Sequence, residues 1–281
     1  MTRNIKLVIK YDGTHYAGWQ FQKNAKTVQE TIESALKGLT GRKVKLTGSG
    51  RTDSGVHAIG QVANFKTDSI LPLTKIKDAL NSTLPQDILI ALAQDVPLGF
   101  DAQRSAKSKQ YRYTVTTSRF VDPFIRYFVA RFSYPLNMNS MRRSARALSG
   151  RHDFRAFQAS SHTGRRPRRA SGSAEKNTVR TVKKIKIEKC GDLVYIDVWA
   201  DGFLYNMVRI LAGTLLEIGR GKMPEDRIKK ILSKRDRALA GPTAPAKGLC
   251  LIKVVYKNPS ADSEPYPEVK SKNNRRRGAC L

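Results

Sequence analysis

The sequence predicts an α+β protein built from two ferredoxin-like halves, each a βαββαβ unit with an antiparallel sheet. Two observations lead to this class. Apolar periodicities of about two and about 3.6 residues alternate along the chain in the order of that unit, and the same order occurs twice. The chain of 281 residues is long enough for two such units. Repetition is visible in the order of elements, not residue by residue.

The first half gives the clearest element signals. Its opening stretch alternates apolar residues with lysines, as a strand does. Thr27 and Glu30 form a capping-box pair ahead of an apolar helical face, and Gly41 ends that helix. The remaining elements predicted here are strands near 43–47, 59–66 and 87–96 and a helix near 72–82.

The second half repeats the order with longer connections. Strands are predicted near 106–117, 179–189, 193–200 and 249–257, and helices near 139–149, 203–219 and 224–234. Residues 160–178 and 259–281 are polar, rich in Pro, Gly and Ser, and clustered in arginine, as disordered basic segments are. We therefore predict one half over 1–105, a second over 106–258 with a basic insertion near 160–178, and a disordered tail over 259–281.

Composition points to a polyanionic partner. The chain has 52 lysines and arginines against 23 aspartates and glutamates, a net charge of +29, so nucleic acid is the leading partner. An anionic membrane surface would attract the same charge, but no apolar run approaches the roughly 18 residues of a spanning helix, and no membrane association is predicted. The N-terminus lacks the apolar core of a signal peptide, so we expect a cytoplasmic protein. The cysteine spacing predicts no metal site.

The loop Gly48–His57, "GSGRTDSGVH", places Asp53 and Arg51 among small, flexible residues. Glycines there let another molecule approach the backbone, so the acid could be displayed to a partner. Taken alone, the loop is better explained as a glycine-rich turn whose aspartate caps its own backbone.

Six motifs in order resemble those of the TruA family of tRNA pseudouridine synthases. The first is "GSGRTDSGVHAIGQVANF" at 48–65. The others are "YDGTHYAGWQ" at 11–20, "TVQE" at 27–30, "KQYRY" at 109–113, "FLYNMVRILAG" at 203–213 and "GPTAPAKGLCLIKVVY" at 241–256. A single short motif would mean little, but six in the same order make a chance likeness remote.

This resemblance implies the pseudouridine synthase fold and isomerisation of uridine to pseudouridine in tRNA, most often at positions thirty-eight to forty of the anticodon arm. The reaction is redox-neutral, and the resemblance implies neither cofactor nor metal. It assigns the central carboxylate to Asp53, which adds to the sugar, adds to the base, or takes a proton from C2′ on a glycal route. All three routes need an ionised Asp53, and Arg51 and Arg209 could keep it so; their alternative role is ordinary phosphate contact.

The resemblance also assigns Tyr111 to the site, with its ring against the target base and its hydroxyl near the C5 proton. In an alternating strand Tyr111 and Tyr113 share a face, so both could instead be core residues. His57 follows the loop and is assigned a structural role. Tyr16 and Trp19 could stack on RNA, but burial is the favoured interpretation.

The family also implies base extrusion from a stem and a homodimer with a shared RNA groove. Arg165, Arg166, Arg168 and Arg169, in the basic insertion, are predicted to contact the tRNA backbone; the alternatives are a solvated run of charges and a docking segment for another partner. A noncatalytic RNA-binding protein or chaperone would share the charge and the fold, but would gain nothing from presenting Asp53 to phosphates. An RNA methyltransferase would need a nucleotide-binding loop after a parallel strand, which the sequence lacks.

Overall fold

The computed structural model describes residues 1–159 and 177–257. Its first half contains β1 (Arg3–Tyr11), α1 (Val28–Thr40), β2 (Thr47–Gly48), β3 (His57–Thr67), α2 (Leu73–Thr83) and β4 (Ile88–Val96). The second half contains β5 (Ala106–Thr116), β6 (Ala130–Arg131), α3 (Met138–Arg146), β7 (Gly150–Asp153), β8 (Val179–Cys190), β9 (Leu193–Ala200), α4 (Met207–Gly219), α5 (Arg227–Lys234) and β10 (Leu249–Tyr256). Both halves therefore follow the predicted βαββαβ order, with β6, β7 and α5 as additions.

The ten strands of the described residues form one mixed sheet. Eight of them follow the order β4-β1-β3-β10-β5-β9-β8-β7, while β2 pairs with β3 and β6 pairs with β5. The first half supplies β4, β1 and β3 as antiparallel neighbours. The second half supplies β10, β5, β9 and β8, also antiparallel to one another. The two groups meet where β10 runs parallel to β3, with Cys250 opposite His57 and Leu251 opposite Ala58. The predicted α+β class is confirmed, and the boundary predicted at residue 105 falls in the connection between β4 and β5.

The signals that start and end helix α1 are those predicted from its sequence. The Thr27 hydroxyl accepts a hydrogen bond from the Glu30 backbone N–H at 3.3 Å, and Gly41 closes the helix with φ +68°. Its buried residues repeat at helical spacing and pack into the core: Val28, Ile32, Ala35 and Leu36. Across the core, α2 packs on β4, α3 on β8 and α4 on β5.

The strand predicted near 43–47 is an exception. Val44 and Leu46 are buried as the alternation requires, but β2 covers only Thr47 and Gly48. The backbone N–H of Leu46 donates to the Glu33 carboxylate of α1 at 2.9 Å, not to a neighbouring strand. The Glu33 side chain thus accepts the backbone hydrogen bond that a neighbouring strand was expected to accept.

The predicted helix near 203–219 starts later than expected, at Met207. Asn206 precedes it with φ +58°, a left-handed conformation that asparagine tolerates better than most residues. This break leaves the stretch from Phe203 to Asn206 outside the helix, beside β5. In the described part of the chain, no helix is both long and apolar enough to cross a membrane.

Candidate active site

The Asp53 loop lies at the seam between the two groups of strands. It ends at His57, where β3 begins and pairs with β10. One row across the sheet joins Ala58 of β3, Leu251 of β10 and Tyr111 of β5. The loop of the first half and the tyrosine of the second are therefore separated by a single strand.

The segment after β1 holds this loop in place. The backbone N–H of Trp19 donates to the Thr52 carbonyl at 3.1 Å, and the Gly55 N–H donates to the Tyr16 carbonyl at 3.3 Å. The hydroxyls of Tyr11 and Thr52 lie 2.8 Å apart in a hydrogen bond. The motifs "YDGTHYAGWQ" and "GSGRTDSGVH" thus form one structural unit, although about 30 residues separate them.

Gly18 makes the close approach possible. Its φ is +97°, and a Cβ there would lie 2.5 Å from the Thr52 carbonyl oxygen. Any side chain would be strained and would push the loop away. Tyr16 and Trp19 are 2% and 3% exposed, so the expectation that they are buried is confirmed.

The Asp53 carboxylate faces Arg209, at the start of α4. Its Oδ2 lies 3.5 Å from the Arg209 Nη1, and the two side chains are 21% and 17% exposed. Burial raises the pKa of the Asp53 carboxyl above its usual value, while the charge and hydrogen bond of Arg209 pull that pKa down. Among the described residues, no loop N–H donates to this carboxylate; the Val56 N–H bonds the Asp53 backbone carbonyl instead. The Asp53 carboxylate therefore faces the site and does not cap the backbone of its own loop.

Arg209 is itself fixed by two neighbours. Its Nε donates to the Ala244 carbonyl at 2.7 Å, and its Nη1 donates to the Asn206 Oδ1 at 2.9 Å. Gly213, one turn further along α4, lets the Pro242 carbonyl pack against the helix where a Cβ would collide with it. The motifs "FLYNMVRILAG" and "GPTAPAKG" therefore act together to aim one guanidinium at Asp53.

Tyr111 reaches the same site from β5. It is 7% exposed, and its ring meets the Phe203 ring edge-on at 5.1 Å. Its hydroxyl has no hydrogen-bond partner within residues 1–159 and 177–257. Burial raises the pKa of Tyr111 well above its usual value, and nearby Tyr11 and Asp53 raise it further. The side chain is therefore a neutral phenol whose hydroxyl is available to a ligand.

Tyr113 shares the face of Tyr111 but belongs to the core. It is fully buried, and its hydroxyl donates to the Pro245 carbonyl at 2.9 Å. Arg112, on the opposite face, forms a two-point ion pair with Asp197, with both distances 2.9 Å. The alternation expected for this strand is thus present.

Arg51 stands apart from the other predicted site residues. It is exposed and, in the part of the chain that the structure describes, forms no ion pair with Asp53. Of the two arginines expected to hold Asp53 ionised, the geometry supports Arg209 alone. Proximity in sequence misled here, because the loop is irregular at residues 51–53 and its side chains do not follow the alternation of a strand.

His57 has structural contacts. It is 4% exposed, its Nδ1 accepts from the Gly13 N–H at 3.0 Å, and its Nε2 lies 2.9 Å from the Tyr127 carbonyl oxygen. Burial lowers its pKa, which favours the neutral ring. These contacts support the loop-structure role expected from sequence.

Several supporting residues were not singled out from sequence: Phe203, Asn206 and Lys109. All three lie inside the quoted motifs, so the motifs were the available signal, but pairing across the fold could not be read from them. Arg165, Arg166, Arg168 and Arg169 lie outside the described residues, and their contact with RNA stays a prediction. Across the described ranges, His, Cys, Asp and Glu side chains form no group of three that could hold a metal ion.

A partly accessible carboxylate, desolvated yet paired with an arginine, is the arrangement of an enzyme that uses a carboxylate as base or nucleophile. The family model described as tRNA pseudouridine synthase matches residues 7–105 and 144–257. Proteins named tRNA pseudouridine synthase A from Acetivibrio thermocellus, Thermoanaerobacter pseudethanolicus and Geotalea uraniireducens are 50%, 49% and 46% identical over 254 residues. Each alignment covers 90% of this chain and 100% of the relative. The chain belongs to the tRNA pseudouridine synthase family.

Proposed function

We propose that this protein isomerises uridine to pseudouridine in the anticodon arm of tRNA, at positions thirty-eight to forty, with Asp53 as the central catalytic carboxylate. The observation that carries the assignment is the pairing of a partly accessible, desolvated Asp53 with Arg209 at the seam of the sheet. Incubation of the purified protein with unmodified tRNA, followed by mapping of pseudouridine along the anticodon arm, tests it. A tRNA that gains pseudouridine only elsewhere contradicts the positions; one that gains none contradicts the activity.

The environment of Asp53 suits each route by which its carboxylate could act. Desolvation makes the ionised form more basic and more nucleophilic, because water no longer stabilises its charge. The charge and hydrogen bond of Arg209 oppose the rise in pKa and favour the ionised carboxylate. The same balance serves addition to C1′, addition to the uracil ring, or removal of the C2′ proton, so the geometry favours no single route.

Tyr111 is proposed to hold the extruded uracil against its ring. A phenol whose pKa is raised by burial and by a neighbouring carboxylate is a poor base, because ionisation would place two negative charges together. As a neutral group it can donate a hydrogen bond to a uracil carbonyl or guide a proton. The ring is the larger contribution, because base–aromatic stacking is worth roughly 1–3 kcal/mol.

Tyr111→Phe should therefore retain more activity than Tyr111→Ala. Phe keeps the stacking face and the edge contact with Phe203, whereas Ala removes both and leaves a cavity beside β5. Single-turnover rates of tritium release from C5-labelled uridine in tRNA compare the two variants, and melting temperatures check that both fold. If both variants are equally and completely inactive while folded, the hydroxyl has an essential role in proton transfer instead.

Extruding a paired uridine costs a few kcal/mol, which contacts to the RNA backbone must offset. The excess of positive charge supports such contacts. We propose that exposed Arg51, within the Asp53 loop, and the arginine cluster at 165–169 contribute to these contacts.

We further propose a cytoplasmic homodimer. The connection between β5 and β6 exposes large aromatic side chains, with Phe120 76% and Phe124 89% exposed. Adjacent exposed apolar residues are typical of interaction surfaces. The proposed cytoplasmic location rests on the proposed tRNA substrate. Sedimentation equilibrium of the full chain measures the oligomeric state, and a mass of one chain at all concentrations contradicts the dimer.

A further inference from the structure

Lys109 is a second cation tied to the catalytic loop, and the reaction described so far does not use it. It lies on β5 two residues before Tyr111, so the two side chains leave the same face of the strand about 7 Å apart. Its Nζ donates to the Ser49 carbonyl oxygen at 2.6 Å. Because β10 lies between β5 and β3, this side chain reaches across a strand to the start of the Asp53 loop.

The acceptor of this bond is held firmly. The Ser49 N–H donates to the Val62 carbonyl at 2.7 Å, and its hydroxyl donates to the Gln61 Oε1 at 2.6 Å. Gln61 also donates from its Nε2 to the Gly50 carbonyl at 3.0 Å. The ammonium is therefore held at a rigid position, which is what a fixed binding point for a ligand requires.

The charge of Lys109 lacks a counter-charge in the described structure. No carboxylate within residues 1–159 and 177–257 forms an ion pair with it, and only one of its three donors has a partner there. Desolvation lowers its pKa to about 8. A neutral donor would bond the Ser49 carbonyl at a smaller desolvation cost, so the bond alone does not explain why a lysine stands here.

Gly50 makes room for the ammonium itself. A Cβ on Gly50 would lie 2.7 Å from the Lys109 Nζ, closer than a real Cβ contact allows. The neighbouring Arg51 is exposed and adds positive charge on the solvent side. A small residue, a desolvated cation and an exposed arginine together form a setting for an anion.

We propose that Lys109 is an RNA-binding residue that contacts a backbone phosphodiester next to the target uridine, using the donors that Ser49 leaves free. Its place two residues from Tyr111 allows a nucleotide whose base lies against Tyr111 to present its phosphate there. The phosphate supplies the missing counter-charge, and the ammonium keeps its hydrogen bond to the Ser49 carbonyl. The inference rests on the proposed placement of the target base.

Two substitutions distinguish RNA binding by Lys109 from a purely structural role in holding the Ser49 carbonyl. Lys109→Met removes the charge and the donor but keeps most of the length of the side chain, whereas Lys109→Gln keeps a neutral donor directed toward the Ser49 carbonyl. Lys37→Met, on the exposed surface of α1, is the control for loss of one positive charge. Filter-binding titrations of unmodified tRNA across a salt series measure affinity independently of turnover.

Both Lys109 variants are expected to weaken tRNA binding by about tenfold and to reduce the slope of log affinity against log salt by about one, the value for one lost phosphate contact. Single-turnover rates at saturating tRNA should change by less than about threefold, since the chemistry stays with Asp53. Lys37→Met should leave both the tRNA affinity and the salt slope near those of the wild-type protein. Binding that is weakened in this way supports Lys109 even if Asp53 proves dispensable, so the two proposals fail separately.

An unchanged salt slope in both variants overturns the proposal. The proposal is also overturned if Lys109→Gln binds tRNA normally while Lys109→Met binds tRNA weakly and has a lower melting temperature. Lys109 would then have only a structural role. If Lys109→Met fails to fold, Lys109→Gln decides alone: a wild-type slope contradicts phosphate contact, and a reduced slope in folded protein supports it.

Discussion

Asp53→Asn should abolish pseudouridine formation while tRNA binding survives. The substitution keeps the volume of the side chain but removes the charge that all three routes require. General acid–base catalysis alone supplies about 10²–10⁴-fold, so turnover should fall by at least about 100-fold, and further if Asp53 forms a covalent bond. Affinity should be unchanged or slightly tighter, because the variant removes a negative charge that faces an anionic ligand.

Tritium release from C5-labelled uridine in tRNA, beside a filter-binding titration, separates the two effects. Asp68→Asn is the matched control, because Asp68 is also a loop aspartate paired with an arginine, Arg42 at 2.6 Å, but lies on the exposed surface. It should retain full activity. Substantial turnover by folded Asp53→Asn would remove Asp53 from the catalytic role and leave the protein without an assigned base or nucleophile.

Local patterns predicted most of the elements because their causes lie within a few residues. The capping box at Thr27 and the stop at Gly41 define α1, and both act through their own backbone neighbourhood. The alternation that placed Tyr111 and Tyr113 on one face is equally local. The predicted strand near 43–47 failed for the opposite reason, since the Glu33 side chain of another element satisfies the Leu46 N–H.

Long-range pairing could not be read from the sequence. The parallel contact between β10 and β3, which joins the two groups of strands, brings together residues almost 200 positions apart. Two halves read separately from periodicity give no indication that a single sheet runs through both. The motifs named the candidate site residues but did not show which of them touch.

The two arginines show the same limit at the site itself. Arg51 is two residues from Asp53 in sequence and is directed to solvent, whereas Arg209 is distant in sequence and lies 3.5 Å from the carboxylate. The geometry of Arg209 depends on Asn206 and Ala244, one before it in a left-handed turn and one in a separate loop. The motif resemblance named both arginines as possible partners of Asp53, and only the fold distinguishes Arg209 from Arg51.

Arg209→Met should move the acidic limb of the pH–rate profile to higher pH. Burial already raises the pKa of Asp53, and Arg209 opposes that rise through its charge and hydrogen bond. Without the guanidinium the Asp53 pKa rises further, because the charge and the hydrogen bond that lower it are both lost. A smaller fraction of the carboxylate is then ionised at a given pH. Activity is therefore lost first at low pH and recovers as the pH rises through the new pKa.

The profile of kcat/KM from about pH 5 to about pH 9 measures this shift. Arg143→Met is the control, since Arg143 pairs with Glu225 at 2.5 Å on the exposed surface, and its acidic limb should stay in place. The acidic limb of Arg209→Lys should lie between those of Arg209→Met and Arg143→Met. A lysine keeps the charge but cannot bond Ala244 and Asn206 as the planar guanidinium does. If Arg209→Met lowers the rate equally at every pH, Arg209 contacts RNA and does not hold Asp53 ionised, since only an effect on the carboxylate pKa makes the loss depend on pH.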